Sequence, residues 1–278
     1  MLEKFKKMLA TSISMLLFLM LASSQSFGAE KHICLMCDLR FADFYKATLI
    51  DHNYEGAYVY RSNFAKSTIQ DSNFLSSNLM LSDLRNSEIK RSTFSKSNAS
   101  FSNFYRSTLH LVDFSYAILE GADFEYAKLK QLNFSNSELN DSYFHKATGE
   151  ALNFRNSILA NADFSDVKMQ ETDFEGAVLT DARMDHSDFK GSDFALAELH
   201  HVNLIASDLS GSSFVGADLR GADLENADLS NTDLTHANFD GANLLNADLK
   251  GATADSASFC GTIMPNGHTT PKCEEKTH

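Results

Sequence analysis

The chain lacks tryptophan altogether and has only two prolines among its 278 residues, both close to its end. Ordinary domains place proline in loops along their whole length, so a proline-free stretch of this size is unusual. Each proline removes one backbone donor from a ladder of paired strands. The scarcity of proline therefore favours a backbone that pairs continuously along the chain.

Catalytic signatures are also missing from the sequence. It contains no glycine-rich phosphate loop, no nucleophile elbow and no His-Glu-X-X-His metal motif. His186, His200 and His201 fall at positions that the repeat described below turns outward, where solvated side chains are the expected state. We therefore expect a protein that is not an enzyme and that carries no catalytic residue, cofactor or metal.

The first 29 residues have the layout of a secretory signal peptide. Three lysines form a basic start, an apolar run covers 13–22, and small residues surround Gly28. The apolar run is shorter than the ~20 residues that a membrane-spanning helix needs. Residues 1–29 are thus predicted to be removed on export to the periplasm or outside the cell, leaving no transmembrane segment in the mature chain. An uncleaved anchor or a frayed helix is the alternative interpretation.

A period of five residues runs through the rest of the chain. From Leu39 to Phe259, every fifth residue is large and apolar apart from Ala99, Gly149 and Ala254. Most of the 22 phenylalanines occupy these central positions, and the residue two before each centre is usually Ala or Ser. Neither a helix nor a continuous strand has this period. The spacing fits a chain that turns every five residues around a narrow apolar interior, with successive coils paired about 4.8 Å apart.

Several segments carry a family resemblance, among them 217–221 (ADLRG) and 222–226 (ADLEN). They resemble the A(D/N)LXX pattern of the pentapeptide-repeat family, and the register holds through roughly residues 37–260. The resemblance implies an all-β fold, a right-handed quadrilateral parallel β-helix (pentapeptide-repeat solenoid) with four repeats per coil and about eleven coils. We assign residues 30–262 to the β-helix and residues 263–278 to a C-terminal closing turn and tail.

Phenylalanine and smaller apolar centres alternate from Phe104 to Phe174, with Gly149 as the exception. This alternation indicates a coil whose length is a multiple of ten residues, and the family resemblance selects twenty rather than ten. With four faces, two phenylalanine columns are predicted to oppose each other across the core.

Four cysteines flank the repeat in two pairs, and the family fold places the pairs at opposite ends of a rod about 50 Å long. A disulfide needs Cα atoms within about 7 Å, which leaves Cys34 with Cys37 and Cys260 with Cys273. Export makes oxidation the expected state. For the first pair, buried capping thiols and a redox Cys-X-X-Cys motif stay open as alternatives, although the βαβ context of the redox motif is absent.

Two phenylalanines of the predicted mature chain, Phe41 and Phe101, lie outside the central positions. They are 60 residues apart, or three coils, so they share one outward column with Arg61 and Leu81. Three neighbouring positions add to this surface: Tyr58, Tyr60 and Met80. Exposed aromatic, Met and Arg side chains are typical of protein interfaces. These seven residues, called the aromatic patch below, are predicted to bind a protein partner or a second copy of the chain. The alternative is that the corners tuck inward or that an N-terminal segment covers them.

A few positions depart from the repeat. Gly149 leaves a gap that predicts a weak coil, and Leu152 is near enough in sequence to fill it. His52 is a polar ring at an inward position, expected to be hydrogen-bonded in the core, with a ligand role as the alternative. Four aspartates recur every 20 residues and should stack on one face, where they either support turns or bind calcium: Asp188, Asp208, Asp228 and Asp248.

Charge is distributed unevenly along the chain. Residues 30–110 carry ten basic and eight acidic side chains, whereas residues 111–278 carry eleven basic and 28 acidic ones. An acidic surface repels phosphate, so we expect no direct nucleic-acid binding. The main hypothesis is an exported structural or protein-interaction rod. The alternative comes from the family resemblance, because some members mimic duplex DNA and bind topoisomerases such as gyrase. Export counts against this alternative, since gyrase is cytoplasmic.

Overall fold

A computed structural model describes residues 33–273 of the chain, so the predicted signal peptide lies outside the described residues. Six short strands form one parallel sheet in which each strand pairs with the next along the chain. Their bounds are β1 Thr48–Ile50, β2 Thr68–Gln70, β3 Glu88–Lys90, β4 Thr108–His110, β5 Lys128–Lys130 and β6 Thr148–Glu150.

The register of this sheet establishes the length of one coil. Thr48 pairs with Thr68, and every later strand pairs with residues twenty positions further on. Single bridges continue the same offset from Ile33 with Asn53 to Asn243 with Ile263. The predicted all-β parallel β-helix is therefore confirmed, with twenty residues per turn. The regular sheet spans about five turns, fewer than the eleven coils expected, and the rest of the repeat is joined by single bridges.

The corners of the coil share one backbone conformation. Every fifth residue from Met36 to Gly261 has a positive φ in the left-handed region, which residues other than glycine, asparagine and aspartate rarely adopt. Corner side chains extend toward the next coil. At Gly121, for example, an added Cβ would lie 2.6 Å from Cδ1 of Phe101, so only glycine leaves room for the ring.

Two columns of aromatic rings fill the core. Within a column the rings stack from coil to coil, as with Phe144 and Phe164, whose centroids are 4.6 Å apart at an interplanar angle of 2°. Across the core the columns meet edge to face, as with Phe144 and Phe154 at 5.8 Å and 87°. Such pairs stabilise by about 0.5–1.5 kcal/mol each beyond the area that they bury. The predicted opposition of two phenylalanine columns is confirmed.

The small inward residues do more than save space. The hydroxyl of Ser62 donates to the carbonyl oxygen of Leu39 at 2.7 Å, and Ser82 donates to Val59 at the same distance. After the strands, the backbone N–H of His52 donates to the Ser72 hydroxyl at 3.3 Å. Serine at this position therefore links neighbouring coils through its side chain, as well as fitting the narrow interior.

Gly149 lies at the centre of β6, where the regular sheet ends. A Cβ added there would lie 2.5 Å from Cδ1 of Leu152 and 3.0 Å from Cγ of Met169. Leu152 is 2% exposed and takes the place of a normal central side chain. The bulky residue at the small position thus fills the gap left by the glycine.

The core of the first coils contains two polar rings. Nδ1 of His52 lies 2.7 Å from the carbonyl oxygen of Ile50, and the ring stacks on Tyr54 with centroids 5.7 Å apart. His52 is therefore a hydrogen-bonded core residue, as expected. Tyr54 is fully buried, and its hydroxyl has no hydrogen-bond partner. Burial accordingly raises the pKa of this phenol.

Replacing Tyr54 with phenylalanine is expected to stabilise the rod. The variant keeps the ring stacked on Phe74, at 4.8 Å, and removes an unpaired buried hydroxyl that costs about 1–3 kcal/mol. Denaturant unfolding should show a higher midpoint for Tyr54→Phe. The control is Tyr58→Phe, whose ring is 52% exposed, and its midpoint should not move. A lower midpoint for Tyr54→Phe would mean that the hydroxyl hydrogen-bonds to a buried water.

The exchange between Gly149 and Leu152 predicts strong coupling between the two positions. Gly149→Leu alone overpacks the core and should destabilise the rod by about 1–3 kcal/mol. Leu152→Ser alone opens a cavity and should cost about 2–5 kcal/mol. The double variant restores the usual repeat and should be more stable than either single variant. Unfolding midpoints of all four proteins measure this cycle, and additive effects would contradict the interpretation.

Candidate interaction surface

The fold places the outer members of the aromatic patch in one column. The backbone N–H of Phe41 donates to the carbonyl of Tyr60 at 3.0 Å, and that of Arg61 donates to Met80 at 3.0 Å. The same bond recurs from Leu81 and from Phe101 to the coil that follows each of them. Successive patch residues therefore lie on successive coils along one corner of the rod.

Most of the patch faces solvent. The exposed fractions are 65% for Phe41, 51% for Phe101, 52% for Tyr58 and 38% for Leu81, while Tyr60 and Met80 are half-buried. Tyr58 and Tyr60 flank the buried Val59, so both point outward from the same face. Within the described residues, therefore, nothing covers the patch, and the corner residues do not tuck into the core.

The patch has a packed end and a looser end. Phe41 meets Tyr60 edge to face at 5.9 Å, and the Arg61 guanidinium lies 5.3 Å from the centre of the Tyr60 ring. Phe101 packs instead over the backbone of Gly121, at the far end of the column. The structure thus brings three patch residues into one cluster and leaves Phe101 as a separate apolar knob.

Backbone conformation makes the patch costly for the fold. Phe41, Leu81 and Phe101 have φ values of 62°, 61° and 56°, where a bulky side chain is an outlier. Aspartate occupies the same corner position at Asp51 and Asp71, with a side chain that suits this conformation. The fold therefore does not require large apolar residues here, and such outliers point to a role in function.

A second aromatic cluster was not predicted from the sequence. The Arg106 guanidinium lies 5.1 Å from the Tyr105 ring centre and 5.5 Å from that of Tyr126. The two tyrosine rings are 5.6 Å apart. The dipeptide Tyr-Arg at 60–61 recurs at 105–106, and this repetition was the signal that could have revealed the cluster.

Both cysteine pairs are joined in the structure. Cys34 is bonded to Cys37 and Cys260 to Cys273, with Cα atoms 5.4 and 5.2 Å apart. The second disulfide closes a turn in which Ile263 pairs with Thr269 in an antiparallel bridge. The bonded first pair favours the disulfide over the capping-thiol alternative.

The aspartate column supports turns. Oδ1 accepts a hydrogen bond from the backbone N–H two residues later, at 2.9 Å from Ser210 to Asp208 and at 2.8 Å from Ser230 to Asp228. A half-buried carboxylate cluster elsewhere, formed by Asp173, Glu175 and Asp193, is partly neutralised because Arg155 forms ion pairs with two of its members.

One exposed histidine has a defined ionic environment. Nε2 of His200 lies 2.8 Å from Oδ2 of Asp218, which also pairs with Arg220 at 2.7 Å. Partial burial opposes ionisation, but the hydrogen bonds from Arg220 and His200 hold the pKa of Asp218 below its ordinary value. Between residues 33 and 273, no helix has the length and apolar character needed to cross a membrane.

Comparison with protein families identifies the chain. Residues 117–194 match the pentapeptide repeat region model, and residues 197–235 and 227–264 match the pentapeptide repeats (8 copies) model. The chain belongs to the pentapeptide-repeat family.

Solved structures of pentapeptide-repeat proteins resemble the chain. HetL from the cyanobacterium Nostoc sp. strain PCC 7120, involved in heterocyst differentiation regulation, is 23% identical, with 87% of this chain and 94% of HetL covered and a TM-score of 0.29. QnrB1, a plasmid-mediated fluoroquinolone resistance protein, is 21% identical over 74% of this chain and 90% of its own, with a TM-score of 0.45. The Nostoc protein alr5209 is 33% identical over 32% of this chain and 77% of its own, with a TM-score of 0.22. No curated protein sequence matches the chain.

Proposed function

We propose that this pentapeptide-repeat protein is a non-enzymatic rod that is exported to the periplasm or outside the cell and binds a protein partner there. The observation that carries the proposal is the aromatic patch. Phe41 and Phe101 combine exposure of more than half of each ring with a left-handed backbone. Neither property benefits the folded rod, so the gain that offsets them is expected in a complex.

The composition of the patch supports a protein as the partner. Aromatic residues, Met and Arg are enriched at protein interfaces, and large aromatic anchors near an arginine are typical of their energetic centres. Tyr60 is held between Phe41 and Arg61, which fixes its ring before binding. A preorganised anchor loses less conformational entropy when a complex forms.

Export rests on residues outside the aromatic patch. The signal-like segment 1–29 predicts secretion, and two disulfides suit an oxidising compartment. The alternative function, a DNA-mimicking regulator of a topoisomerase such as gyrase, draws on the acidic column from Asp188 to Asp248. It requires a cytoplasmic chain, so the two functions make opposite demands on location.

Location is tested by the intact mass of the natively produced protein from separated cell fractions. We expect a chain that begins near Glu30, found in the periplasm or the medium, whose cysteines react with an alkylating reagent only after reduction. A full-length chain with free thiols in the cytoplasm would overturn export and would make topoisomerase inhibition the next assay.

The patch is tested by Phe41→Asp combined with Phe101→Asp. Aspartate suits the left-handed corner, so the unfolding midpoint should be unchanged or higher, while capture of the partner from an envelope extract should be lost. The matched control is Tyr116→Asp with Leu196→Asp, two exposed corner residues on another edge with φ of 57° each. Equal capture by both double variants and the native chain would rule out the patch as the binding surface.

A further inference from the structure

A second interaction surface lies on the face that carries the six-stranded sheet. One outward column of this face runs through Lys128, Thr148, Lys168 and Asp188, each bridged to the next coil. The column continues with three more aspartates on successive coils: Asp208, Asp228 and Asp248. Its charge therefore changes sign once, between Lys168 and Asp188. We call these residues, together with Thr108 at the basic end, the charged column.

The charges of this column are not used within the rod. Within residues 33–273, neither Lys128 nor Lys168 forms an ion pair, and both side chains are exposed. Nearby cations behave differently, because Lys130 pairs with Glu150 at 2.8 Å and Arg91 pairs with Asp71 at 2.7 Å. The aspartates hydrogen-bond through Oδ1 to the backbone and leave their negative charge unneutralised by any cation of the described chain.

The order of these residues is self-complementary when it is reversed. Counted in coils from the midpoint between Lys168 and Asp188, Lys168 matches Asp188 and Lys128 matches Asp228. The two remaining matches pair Thr148 with Asp208 and Thr108 with Asp248. Two copies of the rod have the same coil spacing, so matches made at the midpoint stay in register along the column.

We propose that two copies of this chain associate antiparallel through this face, with the basic half of each charged column against the acidic half of the other. The arrangement is a closed two-fold interface in which each contact occurs twice. A parallel pair in register would instead place lysine against lysine and aspartate against aspartate. Charge complementarity thus selects both the partner and its orientation.

The proposed dimer leaves the aromatic patch free. Val59, at the centre of the patch face, is ten residues from Leu49, at the centre of β1, which is half of one coil. The patch therefore lies on the face opposite the charged column. A dimer formed through the charged column would display two patches that point in opposite directions.

The test is sedimentation equilibrium of the purified native chain and charge-reversal variants at low and high salt. The native chain should dimerise at low salt and dissociate as salt screens the contacts. Lys128→Asp with Lys168→Asp makes the column acidic throughout, and Asp188→Lys with Asp228→Lys makes it basic at the same coils. Each double variant alone should dimerise at least about tenfold more weakly than the native chain. An equimolar mixture of the two should form a heterodimer, because opposite charges then meet along the whole column.

The matched control is Glu138→Lys with Glu198→Lys, two exposed residues on the opposite face that change the net charge as much as the basic variant does. Its dimerisation should equal that of the native chain. A native chain that stays monomeric at low salt would overturn the proposal. So would a mixture that does not associate, or a dimer that Phe41→Asp with Phe101→Asp abolishes and the charge reversals leave intact. The last result would assign self-association to the aromatic patch.

Discussion

Backbone pairing between residues twenty positions apart is the constraint on which the rest of this molecule depends. From Ile33 to Ile263 each coil bonds to the next at that offset, so the chain must return to the same point after every turn. A turn this short leaves an interior only wide enough for two opposed ring columns and small residues beside them. Outward side chains at equal phase form straight columns for the same reason. Core, corners and binding faces thus all follow from one repeat distance.

Much of the fold was predictable because this constraint leaves a period in the sequence. Central positions such as Phe144 and Phe164 had to be inward, and their alternation predicted opposed columns. The left-handed corners were not predictable, because Phe101, Arg61 and Leu81 have no preference for that conformation. The pairing of coils imposes it on them. The hydroxyl of Ser62 was likewise read only by its size, since its acceptor, Leu39, lies on the preceding coil.

The candidate surfaces were predictable to different degrees. Column arithmetic located Phe41 and Phe101 on one outward corner, and exposure confirms that placement. The cluster of Tyr105, Arg106 and Tyr126 escaped notice because it spans two coils and two phases of the repeat. The charged column was seen only as aspartates, because Lys128 and Lys168 gain meaning when the coil length is known. The identity of a partner leaves no periodic trace and cannot be read from the chain.

The reach of each corner side chain over the next coil also constrains how such a rod can change over time. The ring of Phe101 occupies the space above Gly121, so a larger residue at 121 requires a smaller one at 101. Tolerance to substitution is therefore shared between positions twenty apart and is low for either one alone. An inserted or deleted segment keeps every column aligned only if it comprises complete turns. Rods of this kind should lengthen by duplicating twenty-residue units, with any other insertion expelled as a loop.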